Sequence, residues 1–234
     1  MNPAPPLHPT QAQARAESPA LVVFGAGGHG RVVADAALAS GRWRAVLACD
    51  RREQLWGGEL LPGVPVLSPA ALRELDAPWE LHVAIGDNAS RKREAQALLR
   101  DEARGAQLAS VVHPSASVAV GARIGAGCLL AAQCVVGPLA VLGEGAVVNH
   151  AAVVDHDCTV GAWAHVAPGA RLGGGVRVGE ATLVGSGSCV LRGLSVGAGS
   201  ILGAGAVALQ DLPDGACWVG VPAHPAQASR GDVA

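Results

Sequence analysis

The residues best equipped for chemistry are gathered in one run, Asn149-His150-Ala151-Ala152-Val153-Val154-Asp155-His156-Asp157, with His165 following shortly after. An imidazole is close to half-protonated at neutral pH, so it can accept a proton and release it again. A neighbouring carboxylate raises its basicity and holds one tautomer, and His156 has an aspartate on each side. The pattern suits a general base. His150 sits one repeat earlier in an equivalent slot, so a solvated turn histidine is the competing account for either residue. No HxH or HxxxH spacing with a cysteine partner accompanies them, and no metal site is read here.

A second constellation lies near the start. Gly25, Gly27 and Gly30 satisfy G-x-G-x-x-G between an apolar run, Leu21-Val22-Val23-Phe24, and a helical stretch, and Asp50 ends the next apolar run. Backbone N–H groups at such a helix start can cradle phosphate, and the acid can accept from a ribose hydroxyl. A purely structural tight turn gives the same pattern. Arg91, after the strand-like Leu81–Ile85 and Gly86-Asp87-Asn88, reads equally well as a crevice residue or a solvated helix residue.

Two kinds of scaffold must hold these groups. From 20 to 112, strands alternate with helices over short links, which predicts a small parallel α/β sheet; helix is expected over Ser90–Arg104 and a further strand over Leu108–Val112. From 113 to 208 the period is six. Starting at Val118, every sixth residue to Leu202 is Val, Leu or Ile, fifteen in succession. A small residue stands mostly two before it, and a glycine often one after it. This period belongs to neither a helix nor a hairpin; it predicts a triangular parallel β-helix of about five coils, three hexads to a coil, with glycine allowing the corner conformation. Residues 1–19, rich in Pro, Ala and Gln, read as a disordered tail, and 209–234 as a C-terminal segment with a frayed polar end.

Composition narrows the function. Seventeen basic and nineteen acidic residues give a net charge of −2, with no basic stripe for nucleic acid and no polybasic patch for a membrane. No span-length apolar run or export signal is present, so a cytoplasmic location is expected. The six cysteines lack CxxC spacing and are expected to be reduced, three of them as small fillers of the prism. Few charges fall between 113 and 208, so another subunit is expected to cover some face of the prism.

The hexapeptide repeat, the Gly220-Val221-Pro222-Ala223 segment, the Gly25–Gly30 turn, the Asp155-His156-Asp157 tripeptide and His165 together resemble the bacterial sugar acyltransferases of the hexapeptide-repeat superfamily. Sialic-acid O-acetyltransferases and nucleotide-amino-sugar N-acetyltransferases are examples, and the match runs from about 20 to 223. The resemblance implies a left-handed β-helix and a homotrimer. It implies His156 as general base, Asp157 as its tuning acid, and His165, Gly185, Ser186, Gly203 and Ala204 against acetyl-CoA. Gly28, His29, Gly30, Asp50 and Asn149 would hold a nucleotide-sugar acceptor. The expected reaction is direct N-acetylation of a nucleotide-linked amino sugar, with O-acetylation of a sialic acid or other sugar hydroxyl as the alternative. Two unrelated accounts stand beside it: a nicotinamide oxidoreductase using the glycine turn, and a non-catalytic β-helix binding module. His224 follows Gly-Val-Pro-Ala where relatives carry Lys or Arg, which leaves open how the phosphates of coenzyme A are neutralised.

Overall fold

The computed structural model describes residues 18–75, 78–101, 103 and 105–226, so the expected tail over 1–17 and the polar end beyond 226 lie outside the described residues. The N-terminal part is a sheet in the order β3-β4-β2-β1-β5-β6, built from β1 (Ala20–Phe24), β2 (Val46–Cys49), β3 (Glu59–Leu61), β4 (Val64–Leu67), β5 (Trp79–Val83) and β6 (Gln107–Leu108). All pairings are parallel except β3 with β4 at the edge, a hairpin whose apolar positions are too few to announce it in the sequence. Helix α1 (Gly28–Ser40) follows β1, and α2 (Asn88–Asp101) follows β5. Residues of β1 are buried throughout, as expected of a central parallel strand covered on both faces.

The prism begins earlier than the six-residue count from Val118. Val111–Val112 (β7) pairs with Leu129–Leu130, while Gln107–Leu108 still pairs with β5, so the chain passes from sheet to prism within two residues. Each two-residue strand then pairs with the strand eighteen residues on, as in Leu129 with Val147 and Val141 with Thr159. Strands from Val111 to Val196 make five complete coils; Ile201–Leu202, Val207–Ala208 and Leu212 form the sides of a sixth. The aliphatic residue of each hexad fills the axis with the small residue beside it, and Trp218 and Ala223 close the C-terminal end. Where the small residue is polar it is satisfied locally: Thr182 and Ser200 donate to the carbonyls of Gly197 and Pro213. Cys128, Cys134 and Cys158 are buried fillers, and burial raises their thiols, Cys128 to about 11 and Cys134 to about 12.

The corner glycines act differently from expectation. The residues with positive φ stand three after the aliphatic position, such as Gly127, Gly145 and Gly169, and this slot also takes Gln133, Leu139, Ala151, Asp157, Trp163 and Ala181. The glycines one after it are needed for clearance instead. A Cβ at Gly125 would lie 2.8 Å from the Glu144 nitrogen of the next coil, and one at Gly137 2.7 Å from that of His156. Coils stacked at strand spacing leave no room for a side chain there.

One prism face is covered by the chain itself. Leu129, Ala131, Val147 and Val111 pack with Val33, Ala34 and Ala37 of α1 in one apolar cluster. Arg91, 1% exposed, fastens the seam. Its guanidinium donates to the carbonyls of Gly145 and Trp163 on the prism, to those of Ile85 and Gly86 on the sheet side, and to Oδ1 of Asn88. Asn88 in turn donates to the carbonyls of Ala181 and Thr182. Neither sequence account of Arg91 foresaw this: five carbonyl-type acceptors brought together from both domains satisfy a buried cation, and burial lowers its pKa only to about 10.

Candidate active site

The glycine turn opens a crevice of about 380 Å³ at the carboxyl ends of β1, β2 and β5, lined by Gly25, Gly27, Gly28, His29, Asp50 and Arg52 among others. Ligands of open parallel sheets bind at this edge. Gly25 has φ +111, and a Cβ at Gly30 would overlap the Gly25 carbonyl, so these two glycines make the turn possible. Nothing lies within 4 Å of a Cβ at Gly27 or Gly28, which leaves the start of α1 open to the crevice. No side chain caps that helix start, so its first N–H groups are available to an anion.

Asp50 closes the crevice floor. Its Oδ2 accepts from the Ala26 N–H at 2.7 Å, and both oxygens accept from Arg52. The Arg52 side chain is the main cause that holds this carboxyl at about 2. A ligand hydroxyl that uses Asp50 must therefore displace Arg52. Arg51, ion-paired to Glu94, lies over the Phe24 ring at the rim.

His29, on the crevice wall, also lies next to the prism. Its ring centroid is 6.1 Å from that of His165, which projects from the covered prism face. Asn149 fixes the His165 tautomer: its Oδ1 accepts from the His150 N–H, so its Nδ2 donates to His165 Nε2 at 3.1 Å. Burial, first of all, lowers His165 to about 4 and His29 to about 3, with His165 adding to the effect at His29 and Arg91 adding to it at both. Both are neutral at physiological pH. Nε2 of His29 is buried with no hydrogen-bond partner among the described residues, as is Nε2 of His82, whose Nδ1 donates to the Ala109 carbonyl. An unpaired buried ring nitrogen is costly, and a ligand group at His29 would relieve that cost.

His156 stands elsewhere, on an exposed corner of the prism. Its Nδ1 pairs with Asp157 Oδ2 at 2.8 Å, and its backbone N–H donates to Asp155. The Asp157 hydrogen bond and the Asp155 charge raise its pKa above the ordinary 6.5, leaving Nε2 as the basic nitrogen. Asp157 adopts φ 59, a left-handed conformation that aspartate tolerates better than most residues.

The remaining expected residues divide between buried and exposed positions. Gly185 and Gly203 are buried against the following coil, and Ser186 and Ala204 are exposed on the corner where the covered face turns into the next one. One chain thus joins Gly28, His29, Gly30, Asp50, Asn149 and His165 along one seam and sets His156 and Asp157 at a different prism corner. No group of histidine, cysteine and acidic residues suited to a metal occurs among the described residues.

Residues 20–98 match the family described as PglD N-terminal domain. The chain is 39% identical to the acetyltransferase domain of PglB from Neisseria gonorrhoeae FA1090, solved with acetyl coenzyme A, with 89% of this chain and 100% of that chain covered at TM-score 0.83. It is 37% identical to PerB from Caulobacter crescentus, solved with CoA and GDP-perosamine, over 89% of this chain and 97% of that chain at TM-score 0.80. WeeI from Acinetobacter baumannii AYE shares the fold at 21% identity and TM-score 0.60, over 89% of this chain and 100% of that one. No curated protein sequence matches the chain. The α/β domain followed by a left-handed parallel β-helix is the architecture of this group.

Proposed function

The chain belongs to the bacterial sugar acyltransferase family, and from that premise we propose that it transfers the acetyl group of acetyl-CoA to the amino group of a nucleotide-linked amino sugar. The observation that carries the substrate side is the crevice at the glycine turn, lined by His29, whose ring lies 6.1 Å from that of His165 on the prism. It has the helix start for a diphosphate and unpaired polar nitrogen for a sugar. A nicotinamide oxidoreductase would need a substrate domain where this chain has a solid prism.

In the proposed mechanism His156 Nε2 takes the proton of the attacking amine as its nitrogen bonds to the thioester carbon. Asp157 stabilises the imidazolium that results, and backbone N–H groups of the prism hold the oxyanion. Collapse expels the coenzyme thiolate, which is then protonated. No covalent enzyme intermediate is needed, in keeping with the raised pKa of the buried cysteines. His165 and Asn149 act as neutral hydrogen-bonding groups. Ser186 and Ala204, exposed at their corner, line the path of the coenzyme along the prism, with Gly185 and Gly203 packed beneath them.

Because the acceptor seam and His156 lie apart in one chain, the complete site combines His156 of one copy with the crevice of another. A homotrimer satisfies this. Its support is a strip of exposed apolar side chains at Val118, Val120, Val135, Leu139, Leu191 and Leu209, on the prism side and corner that carry His156. Acetyl-CoA and nucleotide sugars are cytoplasmic metabolites, so the proposal places the protein there; among the described residues no helix is long and apolar enough to cross a membrane.

The test is thiol release from acetyl-CoA with UDP-, GDP- and dTDP-linked 4-amino sugars and free sialic acid, comparing the native protein with His156→Ala. Release with an amino sugar that falls about a hundredfold or more in the variant supports the proposal. Turnover with hydroxyl acceptors alone makes the protein an O-acyltransferase, and no turnover with any acceptor makes it a binding module.

A further inference from the structure

The corner slot two residues after each aliphatic position holds Val, Ala, Pro, Glu, His, Ser or Arg in fourteen of its fifteen occurrences between Val120 and Ala204, and glycine only at Gly174. Gly174 lies eighteen residues after His156, one coil above it on the same corner, and the Gly175 N–H donates to the His156 carbonyl at 2.9 Å. The three consecutive glycines there have three different reasons. A Cβ at Gly173 would lie 2.8 Å from the Arg192 nitrogen of the next coil, and Gly175 has φ +70. Gly174 has no positive φ, and the three atoms nearest to a Cβ on it all belong to the His156 ring, with Cε1 and Nε2 under 3.0 Å. The backbone at Gly174 therefore tolerates a side chain, and the imidazole does not.

We propose that Gly174 is a positioning residue for the acyl transfer: the space left by its missing side chain is taken by the His156 ring while Nδ1 stays on Asp157. This rests on His156 as the general base. A methyl group at 174 would push the exposed ring outward, away from the position in which it holds the 2.8 Å hydrogen bond to Asp157. The nitrogen that receives the proton would move with it, and misplacing a reacting group by about 1 Å can cost on the order of a hundredfold in rate.

The test compares Gly174→Ala with the native protein by three measurements. The imidazole of His156, observed by NMR with ¹³C-labelled histidine and assigned by its loss in His156→Ala, is expected to titrate at lower pH in Gly174→Ala, toward its ordinary 6.5, because the Asp157 contact is broken. With an amino-sugar acceptor, kcat is expected to fall about a hundredfold, with its pH midpoint moving in the same direction and KM for acetyl-CoA changing far less. Melting temperature is expected to be unchanged. An unchanged His156 titration overturns the proposal, as does a rise in KM for acetyl-CoA with kcat retained, which would make Gly174 a coenzyme contact. A fall in melting temperature that recurs when Gly174→Ala is built into His156→Ala would show that the glycine serves the fold rather than the ring. Full activity of His156→Ala alone would remove the base, and with it the role assigned to Gly174, even if the NMR titration responds as expected.

Discussion

The imidazoles of His29 and His165 face each other across the domain seam with centroids 6.1 Å apart, one from the first turn of α1 and the other from the prism. Both are held neutral, with His82 nearby also lowered to about 4, chiefly by burial. A histidine with a depressed native pKa binds fewer protons folded than unfolded, so stability is lost as pH falls below the unfolded value near 6.5 and the loss continues down to the folded value. Each of the three should cost about 1.4 kcal/mol per pH unit over that range. Urea denaturation at pH 8 and at pH 5.5 is the measurement. A flat profile would mean that these rings are hydrated in solution.

His156 has the opposite sign. Its pKa is raised by Asp157 and Asp155, and the base works only when neutral. Turnover should therefore increase with pH through a midpoint above 6.5 and level off beyond it. Asp157→Asn keeps the left-handed backbone accessible but removes the charge, so its midpoint should move down and kcat should fall about tenfold. A midpoint that Asp157→Asn leaves in place would separate the acid from the base.

Arg91→Met should destabilise the fold by about 3–5 kcal/mol, because the oxygens at the seam that now accept from the guanidinium would lose this charged donor. Arg91→Lys should recover little of this, since an ammonium has three donors and lacks the planar fork. Thermal melts of the two variants check it. The loss would appear as separate unfolding of the two domains if the seam opens first.

The glycine turn predicts a split between stability and binding. Gly30→Ala places a Cβ on the Gly25 carbonyl and should prevent the turn from forming, with a large drop in melting temperature. Gly28→Ala meets nothing in the chain, so it should fold normally and raise KM for the nucleotide sugar severalfold. Equal effects at the two positions would argue against a ligand at the start of α1.

Leu139, 64% exposed beside the His156 corner, tests the assembly. Leu139→Asp should convert a trimer to a monomer in light scattering and abolish turnover while leaving the Asp157–His156 pair intact. A native protein that is monomeric and active would refute the shared site.

The sequence by itself determined the prism and the identity of its corner residues, because each strand pairs with the chain eighteen residues on and a period of six records that contact at every coil. It also carried the glycine turn, since a strand, a positive φ and a helix start are local matters. His156 with Asp157 was legible for the same reason: adjacent residues make the pair. The edge hairpin of β3 and β4 had too short an apolar pattern to register, and the role of the post-aliphatic glycines was misjudged because clearance from the next coil is not a property of one residue's own backbone. Only tertiary structure decided that Arg91 is a buried clasp and that His29 meets His165. Those relations join segments with no fixed spacing, set by how α1 and α2 pack on one prism face, and burial there turns ordinary histidines into neutral ones.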